Sequence, residues 1–190
     1  MKKFLLVSLV SFCCLAFTSA CAKDSGKTKL ILLVSEQNIE GPQRAWWASE
    51  VDLSVTEAAL AERLLSQGYE VLEPSNLGGV IKKDKAFRIV DLSEAKSVKL
   101  GNLSRADFVV LGKALASAGG NIPQSSMRSC FANITGKLIR VKDGLVLAYL
   151  NASASSAHMD IVSGGKEALI KAADDLATKI IDALAKGGGN

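Results

Sequence analysis

The side chains able to do chemistry in this 190-residue chain are few. Its single histidine is His158, and Cys130 is the cysteine farthest from the amino terminus. The two fall at opposite ends of a segment with a Lys142-Asp143-Gly144 turn near its middle. A hairpin about that turn brings Cys130 opposite a residue near Ser156, and strand alternation then decides whether the thiol and the imidazole share a face as a nucleophile and base must. One histidine and one cysteine cannot assemble a zinc site from the usual nitrogen and sulfur ligands, and no acidic calcium loop is present, so no metal or other cofactor is expected.

Other patterns point to structure. Asp174 and Asp175 are adjacent and would diverge by about 100 degrees on a helix, as solvated residues do. Gly101, Gly112, Gly119 and Gly120 lack the spacing of a phosphate cradle, and no Gly-x-Ser-x-Gly elbow surrounds Ser125, Ser126, Ser153, Ser155 or Ser156. Lys82, Lys83 and Lys85 are interrupted by Asp84, and basic residues are otherwise scattered, which gives no footprint for nucleic acid. Sequons at Asn102, Asn133 and Asn151 are read as accidental. Trp46 and Trp47 stand out, because two large aromatics in a polar segment bearing Gly41 and Pro42 must either lid the core or anchor a partner.

The amino terminus carries the most specific signal. Lys2 and Lys3 precede an apolar run from Phe4 to Phe17, followed by Thr18, Ser19, Ala20 and Cys21. That is the order of an export signal, and a run of fourteen residues is too short for a helix across a bilayer core, which takes about twenty. A cysteine after small residues resembles the lipobox of bacterial lipoproteins, in which the chain is cut before the cysteine and the thiol and new amine are acylated. Thr18 stands where that family usually has leucine, so ordinary signal-peptidase cleavage is the alternative. The resemblance implies a lipid on Cys21 that holds the protein to a membrane. Ala22, in place of the aspartate typical of inner-membrane retention, implies the periplasmic face of the outer membrane.

Residues 1–20 are thus expected to be a signal peptide, 21–27 a polar tether, 28–186 a domain and 187–190 a frayed tail. Loss of Cys13 and Cys14 with the signal, and acylation of Cys21, leave Cys130 without a disulfide partner. Loss of Lys2 and Lys3 leaves 21 basic residues against 19 acidic ones, a nearly neutral domain.

The elements that must position these groups follow from periodicity. Lys29–Val34 is continuously apolar, as in a strand covered on both faces, and the stretch from Ser35 to Leu53 reads as a loop. Ser54 and Glu57 have capping-box spacing ahead of a helix that Gly68 stops. Tyr69–Leu72 is a short strand. Ala95, Val98 and Leu100 suggest one buried stripe of a second helix, and Phe108–Leu111, extended to Ala116, is a strand. After a loop from Ser117 to Ser126, residues 127–141 and 145–157 form the hairpin, with Gly136 as a candidate bulge. Leu169, Ala173, Leu176, Ile180 and Leu184 then stripe a helix of about twenty residues. The expected fold is a single-domain α/β sandwich with a mixed sheet, in the order β-α-β-α-β-β-β-α.

Residues 33–39 (Leu-Val-Ser-Glu-Gln-Asn-Ile), Trp46-Trp47, Gly68-Tyr69-Glu70-Val71 and Ala106–Gly112 together look like a superfamily of envelope proteins. It includes the flagellar assembly protein T family, the amino-terminal domain of TolB, the curli secretion lipoprotein CsgG and the lipoprotein activators of penicillin-binding proteins. The resemblance implies a non-enzymatic adaptor or assembly factor that binds other envelope proteins and could self-associate. Gln37, Asn38, Trp46, Trp47 and the hairpin edge are the implied contact surfaces. The flagellar relatives carry further domains that this chain lacks. Two other roles stay open on the residues: a subunit of a secretion pore of the curli type, and a hydrolase built on Cys130 or a serine.

Overall fold

A computed structural model of the chain describes residues 26–39, 41–44, 54–72 and 94–187. The expected signal segment, Cys21, Trp46, Trp47 and the basic group at 82–85 lie outside the described residues.

Strand β1 (Lys29–Asn38) is buried on both faces from Leu30 to Val34. It continues four residues past the apolar run, because Glu36 and Asn38 keep the alternation of Leu32 and Val34 and turn to the same covered face. A short strand β2 (Gly41–Arg44) then pairs antiparallel with its end, where the sequence suggested a loop. Helix α1 (Val55–Ser66) begins at Ser54, whose hydroxyl accepts the Glu57 N–H at 3.0 Å, and ends before Gly68 at φ +87°. Strand β3 (Glu70–Leu72) pairs in parallel with Lys29–Ile31.

Helix α2 (Glu94–Ser104) buries Ser97, Leu100 and Gly101 rather than the expected stripe containing Ala95. The helix is turned by the approach of Val141, which lies 2.5 Å from where a Cβ on Gly101 would stand and so requires glycine there. Strands β4 (Phe108–Asn121), β5 (Arg128–Arg140) and β6 (Val146–His158) form a long antiparallel meander, with β4 five residues longer than expected. Gly144 sits at φ +71° in the β5–β6 turn, as Lys142-Asp143-Gly144 foretold. Gly136 is not a bulge: it faces Gly112 across the ladder, where an added Cβ would lie 2.8 Å from the Leu111 carbonyl, and the register shift falls instead at Leu138/Ile139.

The sheet runs β2-β1-β4-β5-β6, with β3 beside β2 on the same edge of β1. β1 and β4 are parallel and the rest of the path is antiparallel, so the sheet is mixed. Helix α3 (Ile161–Gly187) and α1 cover one face, where Leu60, Leu64, Leu169, Leu176 and Ile180 pack on Leu32, Val110, Ile134 and Leu150. α2 covers part of the other face over Ile31, Leu33 and Val109. The sequence-read stripe of α3 is buried at every position from Leu169 to Leu184.

Two predictions follow from α3. Leu176 is fully inside the core, so Leu176→Ala should cost roughly 2–5 kcal/mol in urea unfolding. Asp160 accepts the Ser163 N–H at 2.8 Å at the start of α3, and its carboxyl is held below the usual range by the Ser163 side chain first and then by the Ser163 and Val162 N–H groups. A depressed native pKa stabilises the fold above the ordinary aspartate value and loses that effect as pH falls through the native one. The melting-temperature gap between the natural protein and Asp160→Ala should therefore be full near neutrality and close below about pH 4.

Candidate interaction surfaces

At the end of β1 the backbone has two short neighbours on one edge. β3 reaches as far as Ile31, and β2 begins at Glu36. In the interval the Val34 N–H would lack a partner, and Glu57 fills the place: its Oε1 accepts from Val34 N at 3.0 Å. Glu36 returns the contact, its Oε2 accepting the Thr56 N–H in the first turn of α1 at 2.8 Å. Both carboxyl groups are nearly inaccessible, at 3% and 2% exposure, and each bond joins a side-chain acceptor to a backbone donor. The pair fastens α1 to β1.

Gln37 is exposed beside this clamp, whereas Asn38, expected on the same contact surface, is 1% exposed and lies beneath the Gly165 turn of α3. Its alternation with Glu36 explains the difference. Asn38 Oδ1 accepts the Ile39 N–H at 2.8 Å, while Asn38 Nδ2 and Thr56 Oγ1 are buried without a hydrogen-bond partner among the described residues. The Glu36–Glu57 clamp was not foreseen from sequence. Its signal is the parity of Glu36 with the buried Leu32 and Val34.

The hairpin register places Cys130 opposite Ser156 and Arg128 opposite His158, as the turn position indicated. Cys130 and His158 therefore share a face, but the thiol is fully buried and its Sγ donates to the Ile161 carbonyl at 3.7 Å. His158 Nδ1 accepts the Asp160 N–H at 3.0 Å. Ser156 donates to the Gly164 carbonyl at 2.6 Å, and Cys130 Sγ lies 2.6 Å from where a Cβ on Gly164 would stand. The group seats the first turn of α3 on β5 and β6. It does not present a nucleophile to solvent.

The opposite face of the meander carries a polar lattice. Asn133 donates from Nδ2 to Ser153 Oγ at 2.9 Å and to Asn151 Oδ1 at 3.3 Å. Leu115, Phe131 and Tyr149 stand around it with 42%, 49% and 76% of their surfaces exposed, and Lys137 lies over the Tyr149 ring at 5.2 Å while pairing with Glu94 of α2. A shallow depression of about 450 Å³ is lined by Leu115, Ser117, Phe131, Asn133, Ser153 and Ser155. Large exposed apolar groups around satisfied polar ones have the composition of a protein-binding surface. Among the described residues no group of three or more His, Cys, Asp or Glu side chains could hold a metal ion.

No protein-family model matches the chain, and no curated protein matches it. Among solved structures it is similar to lipoprotein GNA1162 from Neisseria meningitidis, with 15% identity over 85% of this chain and 99% of that one and a TM-score of 0.44. It is also similar to the hypothetical protein CT253 from Chlamydia trachomatis, at 14% identity over 86% and 97% of the two chains and a TM-score of 0.46. The LpoB C-terminal domain from Salmonella enterica matches at 12% identity over 72% of this chain and 87% of that one, with a TM-score of 0.39. Identities of this size leave function to be read from the chain's own residues.

The clamp makes a prediction of opposite signs at adjacent positions. Glu57→Ala orphans the Val34 N–H and should lower unfolding free energy by about 1–3 kcal/mol, while Thr56→Val, which removes an unpartnered hydroxyl at constant shape, should raise it by about 1 kcal/mol. Urea titrations of the two variants beside the natural protein measure both changes.

Proposed function

We propose that the chain is a membrane-anchored lipoprotein of the bacterial envelope that acts as a non-enzymatic adaptor or assembly factor for a flagellar or cell-wall-synthesis machine. The anchor is the lipid on Cys21, on the periplasmic face of the outer membrane, with residues 22–27 as its tether. The single observation that carries this reading is the export signal ending in Ala20-Cys21, joined to a domain that offers a binding surface. Cys130, Ser156, Glu36 and Glu57 each hold backbone groups in place. Leu115, Phe131, Tyr149 and Gln37 are left to meet other molecules. Trp46 and Trp47 belong to the same reading, as aromatic anchors for an envelope protein.

The meander strands have the length that a pore-forming hairpin needs. Their faces do not suit lipid, because α3 packs on one and Asn133, Asn151, Ser153 and Ser155 lie on the other. No helix among the described residues is long and apolar enough to cross a membrane.

The test is a crosslinking pull-down from the native envelope with three variants. Cys21→Ser should move the protein from the membrane fraction to the soluble periplasm. Phe131→Ser and the double change Trp46→Ala with Trp47→Ala should each be membrane-bound, and at least one should lose a specific envelope partner. Membrane retention of Cys21→Ser would remove the anchor, and identical partners in all three would remove the proposed surfaces.

A further inference from the structure

β6 is an edge strand of 13 residues that pairs, among the described residues, with β5 alone. Natural edge strands of this length are blunted with lysine, proline or inward-pointing charge, because their unpaired N–H and C=O groups invite another strand. The segment Val-Leu-Ala-Tyr-Leu-Asn-Ala-Ser-Ala-Ser-Ser-Ala-His holds no lysine, arginine, acid or proline, and the β5–β6 register is regular from Leu138/Ala148 to Arg128/His158. One outward group is capped: the Asn151 carbonyl accepts Lys179 Nζ of α3 at 2.7 Å. Since N–H and C=O of one residue point to the same side of an antiparallel strand, Tyr149, Asn151, Ser153 and Ser155 all turn their backbone groups outward.

α3 lies over β5 and β6, running antiparallel to β6 so that Gly187 faces Leu147 and Gly164 faces His158. Its flank along the edge carries Asp175, Lys179, Asp182 and Lys186, all exposed and spaced by four, three and four residues, with signs that alternate along the row. Lys179, Asp182 and Lys186 line a groove of about 500 Å³ with Leu147–Leu150 of β6. A row of this kind is complementary to itself when reversed. About its midpoint, Asp175 meets Lys186 and Lys179 meets Asp182 of a second copy. That midpoint is level with Leu150 and Asn151, since Lys179 touches Asn151 and Gly187 reaches Leu147.

We infer that β6 is the interface of a two-fold dimer of this chain, in which two β6 edges pair antiparallel about an axis near Leu150–Asn151 and the two α3 helices lie side by side. An axis normal to the sheet keeps both α3 helices on one face, and because each helix rests between β5 and β6, about half a strand spacing in from the edge, the two axes come to about the 8–10 Å of packed helices. The interface is isologous and closes on two copies, which explains how an unblunted edge avoids open-ended growth. On assembly the Asn151 carbonyl exchanges Lys179 for a backbone N–H of the second copy, and Lys179 turns to the facing Asp182. The inference stands on this edge and row and does not depend on the adaptor reading.

The experiment is the mass of the full-length protein, purified in detergent, measured by light scattering with the detergent contribution subtracted. The natural protein should be a dimer. Lys179→Glu and Asp182→Lys should each raise the dissociation constant by roughly tenfold, because each sets two like-charged pairs across the axis. The double variant restores opposite signs and should restore the dimer. Ser153→Pro should give a folded monomer, since it removes an outward N–H that β5 does not use. Circular dichroism and melting temperature of every variant report folding independently of mass. A monomeric natural protein, a folded Ser153→Pro dimer, or single variants that dissociate without rescue in the double would each overturn the inference.

Discussion

The reciprocal contact between β1 and α1 sets the frame on which the rest of this structure depends. β1 is the centre of the parallel part of the sheet, and neither β3 nor β2 spans the backbone around Val34. A buried N–H without a partner is costly, and Glu57 supplies the acceptor from the first turn of α1 while Glu36 takes a donor from the same turn. Two carboxyl groups thereby do what a full-length neighbouring strand would otherwise do. Their burial fixes α1 against the face that α3 also covers, and so fixes where the core begins.

From that frame the two faces diverge. One is sealed by α1 and α3 over a leucine, isoleucine and alanine core. The other is covered by α2 over Ile31, Leu33 and Val109, and along the meander it presents the Asn133, Asn151 and Ser153 lattice with exposed Leu115, Phe131 and Tyr149. The groups a chemist would first suspect lie inside this division. Cys130 and Ser156 sit under α3, bonded to the Ile161 and Gly164 carbonyls, and their work is to seat the helix. Buried polar side chains are satisfied by such backbone partners, and here the covering helix keeps both groups from solvent.

Much of the architecture was legible because it rests on short-range rules. The period of α3, the glycine at the β5–β6 turn and the Ser54 cap act within a few residues of themselves, and each appears where its pattern placed it. The pairing of Cys130 with Ser156 was legible for the same reason, since a tight turn dictates register. Apart from the longer β4, which pairs with β5 across a short turn, the departures involve distant chain. β1 runs on to Asn38 because β2 pairs with its end while α1 holds Glu36 and α3 covers Asn38, two polar residues that look like loop. α2 rotates because Val141 approaches Gly101. Gly136 is small because Gly112 and Leu111 of a strand more than twenty residues earlier come close, and not because the strand bulges.

The sequence by itself determined the three helices, the cores of β1, β3, β4, β5 and β6, and the register of the hairpin. Each of these depends on neighbours along the chain. Only the tertiary structure decided which polar side chains face inward. Glu36, Glu57 and Asn38 are buried, while Gln37 between them is exposed, and that outcome follows from which backbone donors the sheet leaves unpaired. It likewise decided that β6 is an edge and that the charged flank of α3 borders it. Strand order and helix placement bring together residues tens of positions apart, and no local pattern encodes the position of a gap or an edge.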